Sequence, residues 1–225
     1  MRKITKIIIS QVLLLALFVA TASADSDKAS GVKIGMNIAN IVGRDAEGVE
    51  SMPSFEFGAF HITGLNEFLE IQTELLYSQK GAMIKSQVIE EGIPVGIEEK
   101  FKLNYLEFPV LIKFKVPGES SITPGIYTGM AVGVTISSKY QVTATASANG
   151  QSASVTAEQD LEDVNPIDIG LVFGGSMSLK LGSNLLILDA RYTKGLSQID
   201  NSYSGSDSKN SVFSISAGFA FPIGR

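Results

Sequence analysis

The 225-residue chain has no cysteine, no tryptophan and a single histidine. It therefore has no disulfide framework, and it cannot assemble the Cys/His ligand set of a structural zinc site. Charge is scarce as well: 18% of residues are Asp, Glu, Lys or Arg, against about 25% in an ordinary soluble domain. Beyond residue 24 no unbroken apolar run reaches the roughly 18 residues of a spanning helix. A chain so poor in charge, with no cross-links and no apolar helix, needs another way to expose apolar surface and stay folded. A sheet closed on itself in lipid is one.

What is present begins at the N-terminus. Arg2, Lys3 and Lys6 precede an apolar run from Ile7 to Ala20, followed by Ala22-Ser23-Ala24. Cations, an apolar stretch and small residues, in that order, form a secretory signal peptide, and the apolar stretch is too short to be a membrane anchor. The expected division is a cleaved signal over residues 1–24 and one domain over residues 25–225. Cleavage removes three cations and leaves 15 Lys+Arg against 23 Asp+Glu, a net charge of −8. So acidic a chain is not expected to bind nucleic acid.

From Val32 onward the apolar residues recur with a period of two and no segment sustains a period of 3.6, so the expected fold is all-β. Eight strands are read, at about Val32 to Val42, Ser54 to Thr63, Glu67 to Lys80, Glu99 to Lys115, Ser121 to Tyr140, Pro166 to Leu181, Leu185 to Leu196 and Ser211 to Phe221. The fourth changes phase: Phe101, Leu103 and Tyr105 share one parity, and Phe108, Val110, Ile112 and Phe114 the other. A bulge near Leu106 is expected to restore its register.

The connections alternate in length. Short ones lie at Gly64 to Asn66, Val116 to Ser120 and Gly182 to Asn184, and long ones at Gly43 to Pro53, Gly81 to Glu98, Gln141 to Asn165 and Ser197 to Asn210. Short periplasmic turns and long extracellular loops mark transmembrane barrels. Within the third long connection, residues flanking Asn149-Gly150 read either as a strand extension above the membrane or as a low-complexity loop.

The polar parity of the strands decides which face meets lipid. It holds small residues such as Gly35, Ala39, Gly58, Gly129, Gly133, Gly170 and Gly218 rather than a solvated lattice of charge. The interior of an eight-stranded barrel is just wide enough for side chains to fill, so the small residues belong inside and the apolar parity outside. Aromatics are expected to girdle both rims, with Tyr77, Phe101, Tyr140, Tyr192 and Phe213 at the outer one and Phe68, Phe114 and Phe221 at the periplasmic one.

The segments Gly31-Val-Lys-Ile-Gly-Met-Asn-Ile-Ala-Asn40, Glu74-Leu-Leu-Tyr-Ser-Gln-Lys-Gly81, Leu103-Asn-Tyr-Leu-Glu-Phe-Pro-Val110 and Ala190-Arg-Tyr-Thr-Lys-Gly-Leu196 resemble, in order, the PorT-like outer-membrane β-barrel family. The resemblance covers nearly all of the domain and implies an outer-membrane location. It implies little about activity. The C-terminus departs from the usual pattern of a final aromatic, since Phe221 is followed by Pro222-Ile-Gly-Arg225.

The chemistry legible in the residues is sparse. His61, the sole histidine, falls at the periplasmic end with the parity of the lipid-facing Phe55 and Phe57, which suits an interfacial residue and not a catalytic base. No phosphate-cradling loop and no metal-ligand spacing is present, so no cofactor and no metal are expected. The acids Asp45, Glu47, Glu50, Glu90, Glu91 and Asp207 read as solvated loop residues. One polar constellation remains, inside the barrel: Glu70, Glu74, Glu107, Asp189 and Arg191. We expect it to form a lumen plug in which Arg191 compensates Glu74 and Glu107.

The expected function is that of a non-enzymatic barrel acting through its extracellular loops or through partners at its rims. A narrow solute channel is the alternative, followed by a soluble lipocalin-like binder. Lipid and lipopolysaccharide are the expected surroundings, and periplasmic chaperones and the barrel-assembly machinery the expected helpers.

Overall fold

The computed structural model describes residues 28–44, 46, 48–90, 93–116, 121–148, 151–200 and 207–223. The signal sequence, Gly118, Asn149-Gly150, Asp45, Glu47, Glu91 and the last two residues lie outside that set. Nine strands are formed among the described residues: β1 (Lys28–Val42), β2 (Glu50–Gly64), β3 (Leu69–Glu90), β4 (Ile93–Lys115), β5 (Ile122–Ala148), β6 (Gln151–Asp160), β7 (Ile167–Leu181), β8 (Asn184–Gly195) and β9 (Lys209–Ile223). All pairings are antiparallel between neighbours. β1 pairs with β9 and β4 with β5, so eight strands close a ring and β6 stands outside it, bonded to β5 alone. The expected eight-stranded barrel is what forms.

The outward parity is the apolar one. Val32, Ile34, Met36 and Ile38 on β1 are exposed while Lys33, Asn37 and Ala39 between them are buried. The same alternation runs through β9, where Phe213 and Ile215 face out and Ser214 and Ser216 face in. An aqueous fold would reverse this pattern. A slab of stacked rings, Phe55, Phe57 and Tyr77, covers part of the outer wall, with centroids 5.2 to 6.2 Å apart.

Three expectations are corrected. β4 contains no bulge near Leu106: its register with β3 runs unbroken from Leu76↔Glu107 to Glu90↔Ile93. The bulge is in β5, where Ile136 is the extra residue between Asn104↔Ser137 and Tyr105↔Thr135. The apparent phase change in β4 is a regular strand whose inward residues are themselves apolar, since Leu103, Tyr105 and Leu111 are buried in the lumen. Phe101 shares that parity and packs on Tyr140 at 5.0 Å, so neither ring belongs to a lipid-facing girdle.

The third correction concerns the loops. The segment read as a loop over 81–98 is mostly strand, and of the two readings of the residues flanking Asn149-Gly150 the strand extension is the one that forms. β3 and β4 pair to Glu90↔Ile93, and β5 pairs with β4 up to Val95↔Ala146 and with β6 up to Ala148↔Gln151. Spanning the bilayer takes roughly 9 to 11 residues of tilted strand, and β5 has 27. The part of β5 beyond Ile136 is on the order of 40 Å of extended chain. The far halves of β3, β4 and β5, with β6, therefore form a four-stranded sheet that projects from one mouth of the ring. At the opposite end the strands turn close to the ring: β7 and β8 are joined by two residues, and Gly182 takes the left-handed φ of +66° that this turn requires.

Candidate functional site

The lumen is filled with charge. Lys33, Lys80, Lys113 and Arg191 are buried together with Glu56, Glu74, Glu107, Asp168 and Asp189, four cations against five carboxylates. Charges withdrawn from water must be paired and hydrogen-bonded, or the domain does not fold. They sort into two clusters.

In the first, the Arg191 guanidinium donates two hydrogen bonds to Glu74, at 2.8 and 2.9 Å, and a third from Nε to Asp189 at 3.0 Å. This forked geometry suits a planar guanidinium and a carboxylate. Lys33 stands beside the same acids, 3.5 Å from Glu74, 3.7 Å from Asp189 and 3.8 Å from Glu56. Tyr127 donates to Asp189 at 2.7 Å, and its ring lies 5.7 Å from the Arg191 guanidinium carbon. Gln72 bonds Glu74 on one side and accepts from Lys113 at 2.9 Å on the other.

The second cluster centres on Lys80, which donates to Glu107 at 2.6 Å and to Asp168 at 3.0 Å. Asn210 and Ser197 complete the shell of Asp168, at 3.1 and 2.9 Å.

Of the five residues expected in the plug, the structure brings Glu74, Asp189 and Arg191 together. Glu107 belongs to Lys80 and not to Arg191. Glu70 sits at the rim that carries the short turns, half-buried and bonded to Lys115 at 2.6 Å. Sequence reasoning missed Lys33, Glu56, Lys80, Lys113 and Asp168. The available signal was parity, because each alternates with lipid-facing residues just as Glu74 does.

Apolar side chains are buried toward both ends of the lumen. Phe60, Ile62, Ile187 and Ala220 form a buried cluster at the short-turn ends of their strands. At the other end Ala39 stands between Met52 and Val212, and all three are buried together with Ala82 and Leu103. A cavity of about 10 Å³ lies between Lys33, Phe60, Gln72, Asp189 and Ser216, room for about one water molecule.

Glycines make the close packing possible. A Cβ on Gly174 would stand 2.4 Å from the Tyr127 hydroxyl, so only glycine lets that ring lie across β7 and reach Asp189. Gly174→Val is expected to displace Tyr127 and to cost about 1 to 3 kcal/mol. Urea unfolding in lipid vesicles, followed by tyrosine emission, checks it; an unshifted midpoint would mean the ring has room to spare.

His61 faces outward near the rim that carries the short turns, half-buried, its Nδ1 2.8 Å from the Ser30 hydroxyl across the β1–β2 ladder. Its Nε2 is buried and has no partner among the described residues, so no carboxylate orients the ring as a base would need. Outside the membrane, Asp207 bonds Lys209 at 2.7 Å and Glu50 lies 3.5 Å from Lys85. Lys209 holds the Asp207 carboxyl below the usual carboxylate range through that hydrogen bond.

Comparison with known proteins agrees with this architecture. The model of a family described as outer membrane protein beta-barrel domain matches residues 23–201. Among solved structures, the chain is similar to the attachment invasion locus protein Ail of Yersinia pestis, at 16% identity over 87% of this chain and 99% of that one, with a TM-score of 0.43. It is also similar to Neisserial surface protein A, at 13% identity over 86% and 97% with a TM-score of 0.47. OprG from Pseudomonas aeruginosa gives 11% identity over 89% and 97%, with a TM-score of 0.46. No curated protein sequence matches the chain. The family match spans well over half of the sequence, and on that ground the chain belongs to the outer membrane protein beta-barrel family and resides in the bacterial outer membrane.

Proposed function

We propose that this protein is a closed, non-enzymatic barrel whose role is to hold the β3–β6 sheet outside the cell, and that it stands in the PorT-like branch of its family. Residues 1–24 serve as the export signal and residues 25–225 as the barrel. Periplasmic chaperones and the barrel-assembly machinery deliver it, and lipid and lipopolysaccharide surround it. The observation that carries this reading is the lumen: buried ion pairs crowd its middle, and buried apolar side chains stand toward both ends.

A narrow channel is the competing reading, and planar bilayers separate the two. The parent protein is expected to give no discrete conductance steps; ion-selective steps from purified, folded protein would overturn the closed reading. Display is tested independently, because a chain without cysteine accepts single reporters cleanly. Ser152→Cys, on β6, should react with a membrane-impermeant maleimide on intact cells, whereas Asn66→Cys, in the short β2–β3 turn, should react only after lysis. Labelling of Asn66→Cys on unbroken cells would invert the topology.

A further inference from the structure

β6 is the outer edge of the projecting sheet. It pairs with β5 from Lys139↔Asp160 to Ala148↔Gln151 and with no other strand among the described residues, and all ten of its residues are exposed. An edge strand presents a row of unpaired backbone N–H and C=O groups, which bonds best to another extended strand. Natural edges are usually guarded by lysine, proline or a bulge. From Gln151 to Ala157 this one has none of these and no charge at all, and Val155 is 74% exposed at its centre.

The sequence of this edge, Gln151-Ser-Ala-Ser-Val-Thr-Ala-Glu-Gln159, reads nearly the same in both directions about Val155. We propose that β6 pairs antiparallel with β6 of a second copy, with Val155 opposite its own counterpart, joining two four-stranded sheets into one of eight. The proposal rests on the display reading above and names its partner.

The register follows from the faces. Residues directly opposite in an antiparallel pair lie on the same face. In this register Ala153 meets Ala157 and Ser154 meets Thr156, so small apolar residues continue one face and hydroxyls the other. On the apolar face the row Ile97–Ala144–Val155 simply extends into the second copy. On the other face β5 and β6 already carry a hydroxyl ladder, Thr143–Thr156 at 3.0 Å and Thr145–Ser154 at 2.9 Å. Each hydroxyl has both donor and acceptor capacity, so the ladder can run on across the new seam. Glu158 falls opposite Ser152, and no like charges meet.

The strand direction then dictates where the second copy stands. β5 rises from the membrane and β6 descends toward it. Two barrels side by side in one membrane carry β6 in the same sense and can pair only in parallel. Antiparallel pairing needs the second barrel inverted, in a facing membrane, so the contact bridges two surfaces. A single nine-residue seam lies below the roughly 1,200 to 2,000 Å² of a stable complex. Individual contacts are therefore weak, and adhesion comes from many of them acting together.

The test uses full-length protein reconstituted from detergent into phosphatidylcholine vesicles, so that both orientations are present, with donor dye in one population and acceptor in the other. Parent vesicles should dock with each other and not with protein-free vesicles, read as energy transfer. Ala153→Lys with Ala157→Lys places like charges opposite across the seam, and docking should be lost. Ala153→Glu with Ala157→Glu should lose it as well. Vesicles carrying the Lys pair mixed with vesicles carrying the Glu pair should dock again, because residue 153 of one copy faces residue 157 of the other. Both positions are on an exposed edge, and heat-modifiable migration verifies folding of each variant. Parent vesicles that fail to dock at any protein density, a Lys pair that docks as well as the parent, or mixed vesicles that stay apart would each overturn the proposal. None of these outcomes touches the display reading, which fails on conductance or on surface labelling.

Discussion

Replacing Arg191 with methionine is expected to destabilise the barrel by about 3 to 5 kcal/mol, the cost of leaving buried carboxylates without their cation. The guanidinium makes three of the hydrogen bonds that hold Glu74 and Asp189, and Lys33, shared among three acids, cannot replace them. Adding Glu74→Gln should recover much of the loss, since Asp189 keeps Lys33 and the Tyr127 hydroxyl. Adding Glu107→Gln instead should recover nothing, because Glu107 is already neutralised by Lys80 at 2.6 Å. Urea titrations in lipid vesicles decide between the two rescues. Equal recovery would mean that the lumen is one diffuse charge pool and not two clusters.

Arginine placed on the outer wall should cost nearly as much. Val132 and Leu171 are cross-strand neighbours of the outward parity near mid-strand, set beside Ile169 and Met130. Val132→Arg or Leu171→Arg puts a cation against hydrocarbon, at about 2 to 4 kcal/mol near the bilayer midplane. Ser152→Arg, on the projecting sheet, should fold as the parent does, because its side chain is in water. Folding yields into vesicles, read by heat-modifiable migration, give the comparison. Similar yields for Val132→Arg and Ser152→Arg would mean that the apolar parity does not face lipid.

These two experiments probe properties of different legibility. The outward face was readable because period-two alternation is a property of each strand alone: Val32, Ile34 and Met36 announce their side without reference to any partner. Glu74, Asp189 and Arg191 were readable as lumen residues for the same reason. Their partners were not. Lys33 and Glu74 are 41 residues apart and Arg191 and Glu74 are 117 apart, and which of them meet depends on the tilt and stagger with which the ring closes. The assignment of Glu107 to Arg191 failed on that point. In β4 the alternation itself misled, because a filled lumen holds Leu103, Tyr105 and Leu111 as readily as polar groups, and apolar residues then fall on both parities.

By itself, then, the sequence determined the fold class, the order of the eight ring strands and the lipid-facing side, all of which are written in local periodicity and spacing. The tertiary structure decided the rest. It turned the supposed loop over 81–98 into strand and chose strand over loop for the segment beyond Gln141, since β3, β4 and β5 continue past the membrane only because each finds a ladder partner beside it. It placed the one bulge of the β4–β5 seam at Ile136, and it set each buried charge beside a partner on another strand, Lys113 beside the neutral Gln72 and the rest beside an opposite charge. Those outcomes depend on neighbours brought together by barrel closure, and no single stretch of chain contains them.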